Sequence, residues 1–366
     1  MSLSDKLKKV QLKKTTHQQQ EPKKPEIISL KTEEDNFELI QNYTHRVFLT
    51  NIEYWINILE KTTFKTILIP MNQKETEFLI QSYEHLKKSN FEKFELTNEL
   101  QIQFDEISNK LEKAMLEMTN GDPTKPVFIK SSCRSPKDSV VYEKEFLDLY
   151  KSFLEKQFDQ SINSKIWALT KAGMKMLQFT DARKVVQTLC SSSRIYNDMN
   201  IYLKYLSPNS ENPKTNQENQ PNFKHKEHFV VREWIDMEPE MEFRGFVTNY
   251  NLNALSQYHY FVYFPNLVEK KKEIQDKIVD FYKKEVQPLL QNHFQSKDYI
   301  VDFCVSHGKV WVIELNAFEE STDAGLFDWE KEINILSNGP FEFRIQTEPP
   351  VGIEKRLSEE WQKYIN

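Results

Sequence analysis

The sequence predicts an α+β fold in two lobes, built from mostly antiparallel strands with helices on one face. Three observations lead there. Helical spacing dominates the first half of the chain. Strand-like runs dominate beyond residue 229. Between them lies 207–226, a polar stretch holding Pro208, Pro213 and Pro221, which reads as a flexible insertion.

Taken in order, residues 1–36 are polar and lysine-rich and read as a disordered basic tail, with seven Lys against Asp5 and Glu21 in the first 25. Folded structure is expected from about Phe37. Ile52, Trp55, Ile56 and Leu59 follow an i, i+3, i+4, i+7 stripe, so 51–59 is predicted to be a helix. The run 66–70 is a strand closed by Pro70. Helices follow over 75–88 and 100–118, then a turn at Asn120-Gly121 and a strand over 127–130. Helical spacing returns over 143–158 and 181–189. Strands are expected at 229–235, 242–247 and 252–258, and a helix at 272–294. The segments 299–305 and 309–315 form an antiparallel hairpin turned at Ser306, His307 and Gly308. This divides the chain into a tail (1–36), an N-terminal lobe (37–229), a C-terminal lobe (230–347) and a C-terminal extension (348–366).

Composition narrows the function. Only 7 of 366 residues are Gly, and neither glycine-rich phosphate motif is present, so a nucleotide must be held by side chains and by non-glycine backbone. Net charge is −6; the tail carries +5, leaving −11 elsewhere, which argues against a nucleic-acid binder held by phosphate contacts. The 3 cysteines form no zinc or disulfide pattern, which points to a reducing, cytoplasmic setting. No apolar run suits a signal peptide or a membrane span. A monomer is expected.

Two constellations could carry chemistry. On the hairpin, Glu314 and Asn316 share a strand face by their i, i+2 spacing, and Asp302 lies on the neighbouring strand. Two carboxylates and an amide oxygen are hard ligands suited to Mg²⁺ completed by phosphates. The same residues could instead form the solvent face of an amphipathic hairpin. The other constellation is the strand end at Lys130 with Ser131, Ser132, Arg134, Ser135 and Lys137, a cluster fit for polyphosphate or a plain basic loop. Asp138 is placed to cap the next helix or pair with Arg134. Trp234 is either core or adenine-facing. Arg244, on an apolar strand, needs an anion: Glu242, or a phosphate.

The segment FIKSSCRSPKD over 128–138 closely resembles the signature of the cell division cycle protein 123 family, the D123 family. REW at 232–234 with PEMEFRGFV at 239–247, and SQY at 256–258, resemble further blocks. So do Val301-Asp302 with VWVIELNAF at 310–318, TDAGLFDW at 322–329, and Phe343-Arg344 with Gly352. The resemblance implies an ATP-grasp fold holding ATP between two lobes. Lys130, Ser132, Arg134 and Arg244 would lie near the phosphates, and Glu233, Trp234, Ile235 and Asp236 on the adenine and ribose side. Asp302, Glu314 and Asn316 would be Mg²⁺ ligands. It also implies an assembly chaperone that binds the gamma subunit of translation initiation factor 2, with no established ligase reaction. The alternatives are an ATP-grasp ligase or kinase and a diverged paralogue using ATP structurally. The chain departs from the family where Asp-Phe-Asn-Pro is replaced by ELNA at 314–317, and matches it only loosely over the first 125 residues.

Overall fold

The computed structural model describes residues 43–91, 93–140, 144–206 and 225–365. The tail expected at 1–36 and most of the expected insertion lie outside the described residues. Two sheets organise the rest. The first has three antiparallel strands in the order β1-β3-β2: β1 Thr66–Pro70, β2 Val127–Ser131 and β3 His228–Glu233. The second has five strands in the order β7-β6-β4-β5-β8: β4 Glu242–Thr248, β5 Asn251–Gln257, β6 Tyr299–Ser306, β7 Lys309–Ala317 and β8 Glu342–Arg344. Only the β5–β8 pairing is parallel. Strand β3 runs across the lobe boundary expected at 229/230, and all of it pairs within the first sheet.

Helices cover one face of the first sheet but both faces of the second, where one covered face was expected. Val127, Ile129, Phe229 and Val231 pack against α1 Gln73–Lys88, α2 Asn98–Met118, α5 Ala182–Cys190 and α6 Ser193–Ile201. Helix α1 begins with a reciprocal cap, Asn72 Oδ1 accepting from Glu75 N–H while the Glu75 carboxylate accepts from Asn72 N–H. The second sheet turns Phe243, Leu255, Val301, Phe303, Val312 and Leu315 toward the main core, which takes in α3 Lys144–Leu154, α4 Ile162–Met176 and α7 Pro265–Phe281. Its other face carries Phe246, Ala254 and Ile300, covered by Ala324, Phe327 and Leu336, the last on α9 Ile333–Asn338.

Several expectations are corrected. The stripe at 51–59 is not an α-helix: only Ile52–Tyr54 is a 3-10 turn, and Ile52 N–H donates to Ser132 O. Its apolar residues are core, so burial produced the spacing. The helix expected at 272–294 starts earlier, at Pro265, and widens to a π turn over Tyr282–Val286 before α8 Gln287–His293. Pro288 explains the widening, since proline lacks an N–H and its ring clashes with an α-helical carbonyl. His225, assigned to the insertion, is buried and bonds Tyr54. The C-terminal extension is no appendage. Helix α10 Glu359–Ile365 is tied to α4 and α3 by Lys165 Nζ–Ile365 O and Tyr150 OH–Tyr364 O hydrogen bonds.

Candidate functional site

The hairpin turns through His307 and Gly308, both at positive φ, as a two-residue turn requires. Five residues along β7 the register slips: Asp302 opposes Glu314, but Phe303 opposes Val312, leaving Ile313 as the extra residue of a bulge. That bulge decides the site. Strict alternation would put Val312 and Glu314 on one face. With one residue inserted, Val312, Leu315 and Ala317 are buried, while Glu314 and Asn316 are turned the other way. Across the sheet, register aligns Ser256, Arg244, Asp302 and Glu314 in one polar row.

Within that row Arg244 donates to both oxygens of Asp302, Nε at 2.9 Å and Nη2 at 2.8 Å, and to Asp323 O with Nη1. Asn316 Nδ2 lies 3.1 Å from Asp302 Oδ2 and 3.4 Å from Glu314 Oε1. From the first sheet, Lys130 reaches across to Glu314 Oε2 at 2.8 Å. Asp302 is fully buried, which excludes the solvent-face reading of the hairpin. Arg244 therefore finds its anion on the next strand, not in Glu242, which pairs with His259.

Burial pushes the Asp302 carboxyl upward, and neighbouring Glu314 adds to this, against the pull of Arg244. Burial acts on Glu314 too, but Lys130 first, then Lys137 and Arg244, outweigh it and hold Glu314 below the usual carboxylate range. Two carboxylates side by side cannot both be favoured; this pair remains because each has its own cation.

Glu314, Asn316, Arg244 and Arg134 line a cleft of about 940 Å³, with Lys130 and Asp302 directly behind them. Its walls come from the 43–51 segment, from the loop after β2, from β4 and β7 of the second sheet, from α4 and α6, and from the C-terminal extension through Arg356 and Trp361. Arg134 is turned onto Asp198 of α6, while Asp138 accepts from Ser192, Ser193 and Arg194 at the start of that helix. Asp138 thus serves the start of α6, neither the next helix in sequence nor Arg134 as expected. Ser132 points away from the cleft, 3.1 Å from His228 Nδ1.

The residues expected on the adenine side are elsewhere. Glu233 accepts from Lys65 N–H, Trp234 Nε1 donates to Asp236, Asp236 O accepts from Ser306 Oγ, and none of 233–236 lines the cleft. The chain crosses between sheets beside the hairpin turn, at the opposite end of β7 from Asn316. What the sequence reading missed is Tyr258, which lines the cleft: Arg244 lies 4.8 Å and Lys137 5.2 Å from its ring centroid, and Lys137 donates to its hydroxyl. Its signal was position, directly after the strand that pairs with Arg244.

Do these residues fit a nucleotide and its metal? The donors are hard oxygens next to one another, and turning the Asn316 amide would present its oxygen in place of its nitrogen. Lys130 and Arg244, now on the carboxylates, have the chemistry to take phosphate instead. Among the described residues no cluster of three or more His, Cys, Asp or Glu is placed to hold a metal, so the ligand's own oxygens would have to complete any shell. With that completion, the set fits.

A two-lobed α+β protein with a charged cleft on a mixed, mostly antiparallel sheet, reached by Lys130 from a second sheet, is the class this geometry defines. The fold is that of Cdc123 from Schizosaccharomyces pombe: TM-score 0.57, 21% identity, covering 84% of this chain and 98% of that one. The D123 family model matches residues 165–361, more than half the chain, and the chain belongs to the D123 family. The signature segment at 128–138 lies ahead of that match. A Xenopus tropicalis protein named translation initiation factor eIF2 assembly protein is 36% identical over 112 residues, 30% of this chain and 32% of that protein. Cell division cycle protein 123 of Candida glabrata is 31% identical over 129 residues, 34% of each chain. These alignments span about a third of each relative's length.

Proposed function

We propose that this protein is an ATP–Mg²⁺-binding assembly factor for translation initiation factor 2, acting in the cytoplasm through the gamma subunit and so supporting initiation and cell-cycle progression. The observation that carries the nucleotide half is the cross-lobe group of Lys130, Arg244, Asp302, Glu314 and Asn316. Asp302, Glu314 and Asn316 would hold Mg²⁺. Lys130 and Arg244 would turn to the phosphates, with Arg134 and Lys137 beside them. Bound metal would shield the polyphosphate charge; the chain's own residues orient it. The partner half rests on family membership and on the names of the relatives.

Calorimetry of ATP with and without Mg²⁺ tests the first half, on wild type, Lys130→Ala and Asp302→Ala. Metal-dependent binding, lost in both variants, is expected. Affinity unchanged in both places the nucleotide elsewhere. For the second half, a pull-down with the isolated gamma subunit should capture it. Failure of that alone would leave an ATP-binding protein with another client, and ATP turnover rising with a carboxylate substrate would favour a ligase.

A further inference from the structure

Behind the cleft the structure gathers a second polar cluster. Asn51 Oδ1, Glu53 Oε2 and both carboxyl oxygens of Glu227 are buried side-chain oxygens without a hydrogen-bond partner. Glu227 is 0% exposed and Asn51 2%. Buried polar groups in native proteins are nearly always satisfied, and buried carboxylates without a counter-charge are costly. Orphan acceptors of this kind point to something that supplies positive charge.

These residues converge on Ser132, itself buried. Ser132 O accepts from Ile52 N–H, and Ser132 Oγ lies 3.1 Å from His228 Nδ1, which is 3.9 Å from Glu53 Oε2. Asn51 Nδ2 donates to Glu53 Oε1 at 3.3 Å. Glu227 faces the backbone N–H groups of Ser132 and His228, and Glu53 faces the Ser132 hydroxyl, at geometries that leave Glu53 Oε2 and both Glu227 oxygens without a hydrogen bond; Glu227 also feels the charges of Glu53 and Asp198. No nearby cation is spare: Lys130 is on Glu314, Arg134 on Asp198, and Lys226 is exposed. Burial holds His228 below its ordinary pKa.

We propose that Glu53, Glu227 and Asn51 bind a divalent cation through oxygen alone, with Ser132 Oγ as a further donor, at a site separate from Asp302, Glu314 and Asn316. Two carboxylates balance one divalent charge, and an all-oxygen set suits Ca²⁺ or Mg²⁺. Asn51 also lines the cleft, which gives the ion its entry. Ser132 sits between Lys130 and Arg134, so the ion would brace the loop that carries Arg134 and Lys137.

Tb³⁺, a luminescent stand-in for Ca²⁺, tests this on the full chain after EDTA treatment and without nucleotide. Tyr54 and Trp55 adjoin the ligands and would sensitise the bound ion. The expected result is saturable emission reversed by excess Ca²⁺. Glu53→Gln and Glu227→Gln should each weaken it about ten-fold or more, while Glu314→Gln leaves it intact. Circular dichroism checks folding; if either Gln variant fails to fold, Asn51→Leu carries the same comparison. Emission that survives the Glu53 and Glu227 changes, that vanishes in Glu314→Gln, or that never rises in wild type overturns the site. The last result would mean that a proton, not a metal, settles the buried pair.

Discussion

Asp302 illustrates how much one carboxylate can hold. It sits fully buried with both oxygens engaged by Arg244, and removing one member of such a pair leaves an uncompensated buried charge. Asp302→Asn should lower unfolding free energy by about 3–5 kcal/mol, read by urea denaturation. Lys130→Met should cost less, about 1–2 kcal/mol, because Glu314 is a quarter exposed and water can take over part of its solvation. Equal losses in the two variants would mean that the Arg244–Asp302 pair is no better desolvated than the Lys130–Glu314 pair. The residue types of the site were legible in the sequence: charged groups inside apolar strands have few reasons to be there. Their partners were not. Arg244 was set against Glu242 two residues away, because sequence displays neighbours along a strand and hides those across it.

At the scale of elements, turns and bulges do the positioning. Gly325 occupies φ +63°, and a Cβ there would meet Ser256 Oγ at 2.4 Å, the oxygen that accepts from Leu326 N–H. The same turn supplies Asp323 O to Arg244. Gly325→Ala combines left-handed strain with overpacking and should cost about 2–4 kcal/mol, with ATP affinity falling as Arg244 loses a partner. A melting temperature within error of wild type would refute this. Strands β1 to β7, and helices α1, α2, α3 and α5, were readable from periodicity. What escaped had physical reasons. The bulge at Ile313 leaves no composition mark beyond the three-residue step from Val312 to Leu315. Helix α4 is amphipathic and apolar-rich and carried a readable signal that the sequence reading did not use, while α9 and α10 are too short for their spacing to stand out.

For the whole molecule, Arg232 is one rivet between the sheets, beside Lys130–Glu314 and the Thr62–Val312 backbone bond. It is almost wholly buried on β3, donating to Thr63 and Thr66 on one side and to Ile313 O, the bulge carbonyl, on the other. Burial draws its pKa down to about 10, against the pull of Glu314 and Glu233. Arg232→Met would keep the bulk and orphan these acceptors, at roughly 2–4 kcal/mol. Hydrogen exchange should then show β1 and β7 loosening together; loosening of β1 alone would mean that the sheets are held elsewhere. Among the described residues no helix is long and apolar enough to cross a membrane.

The self-neutralised state of the cleft has one more consequence, within the proposed reading. With each carboxylate already matched to a cation, a lone metal ion meets Lys130 and Arg244 as competitors, and a lone polyanion meets Asp302 and Glu314. Either one alone must break an ion pair and leave a charge stranded. Arriving together, they exchange partners and strand nothing. Reciprocity then requires that each raise the other's affinity by the same factor, so the pocket behaves as a coincidence detector, indifferent to free magnesium or free nucleotide and responsive to their complex.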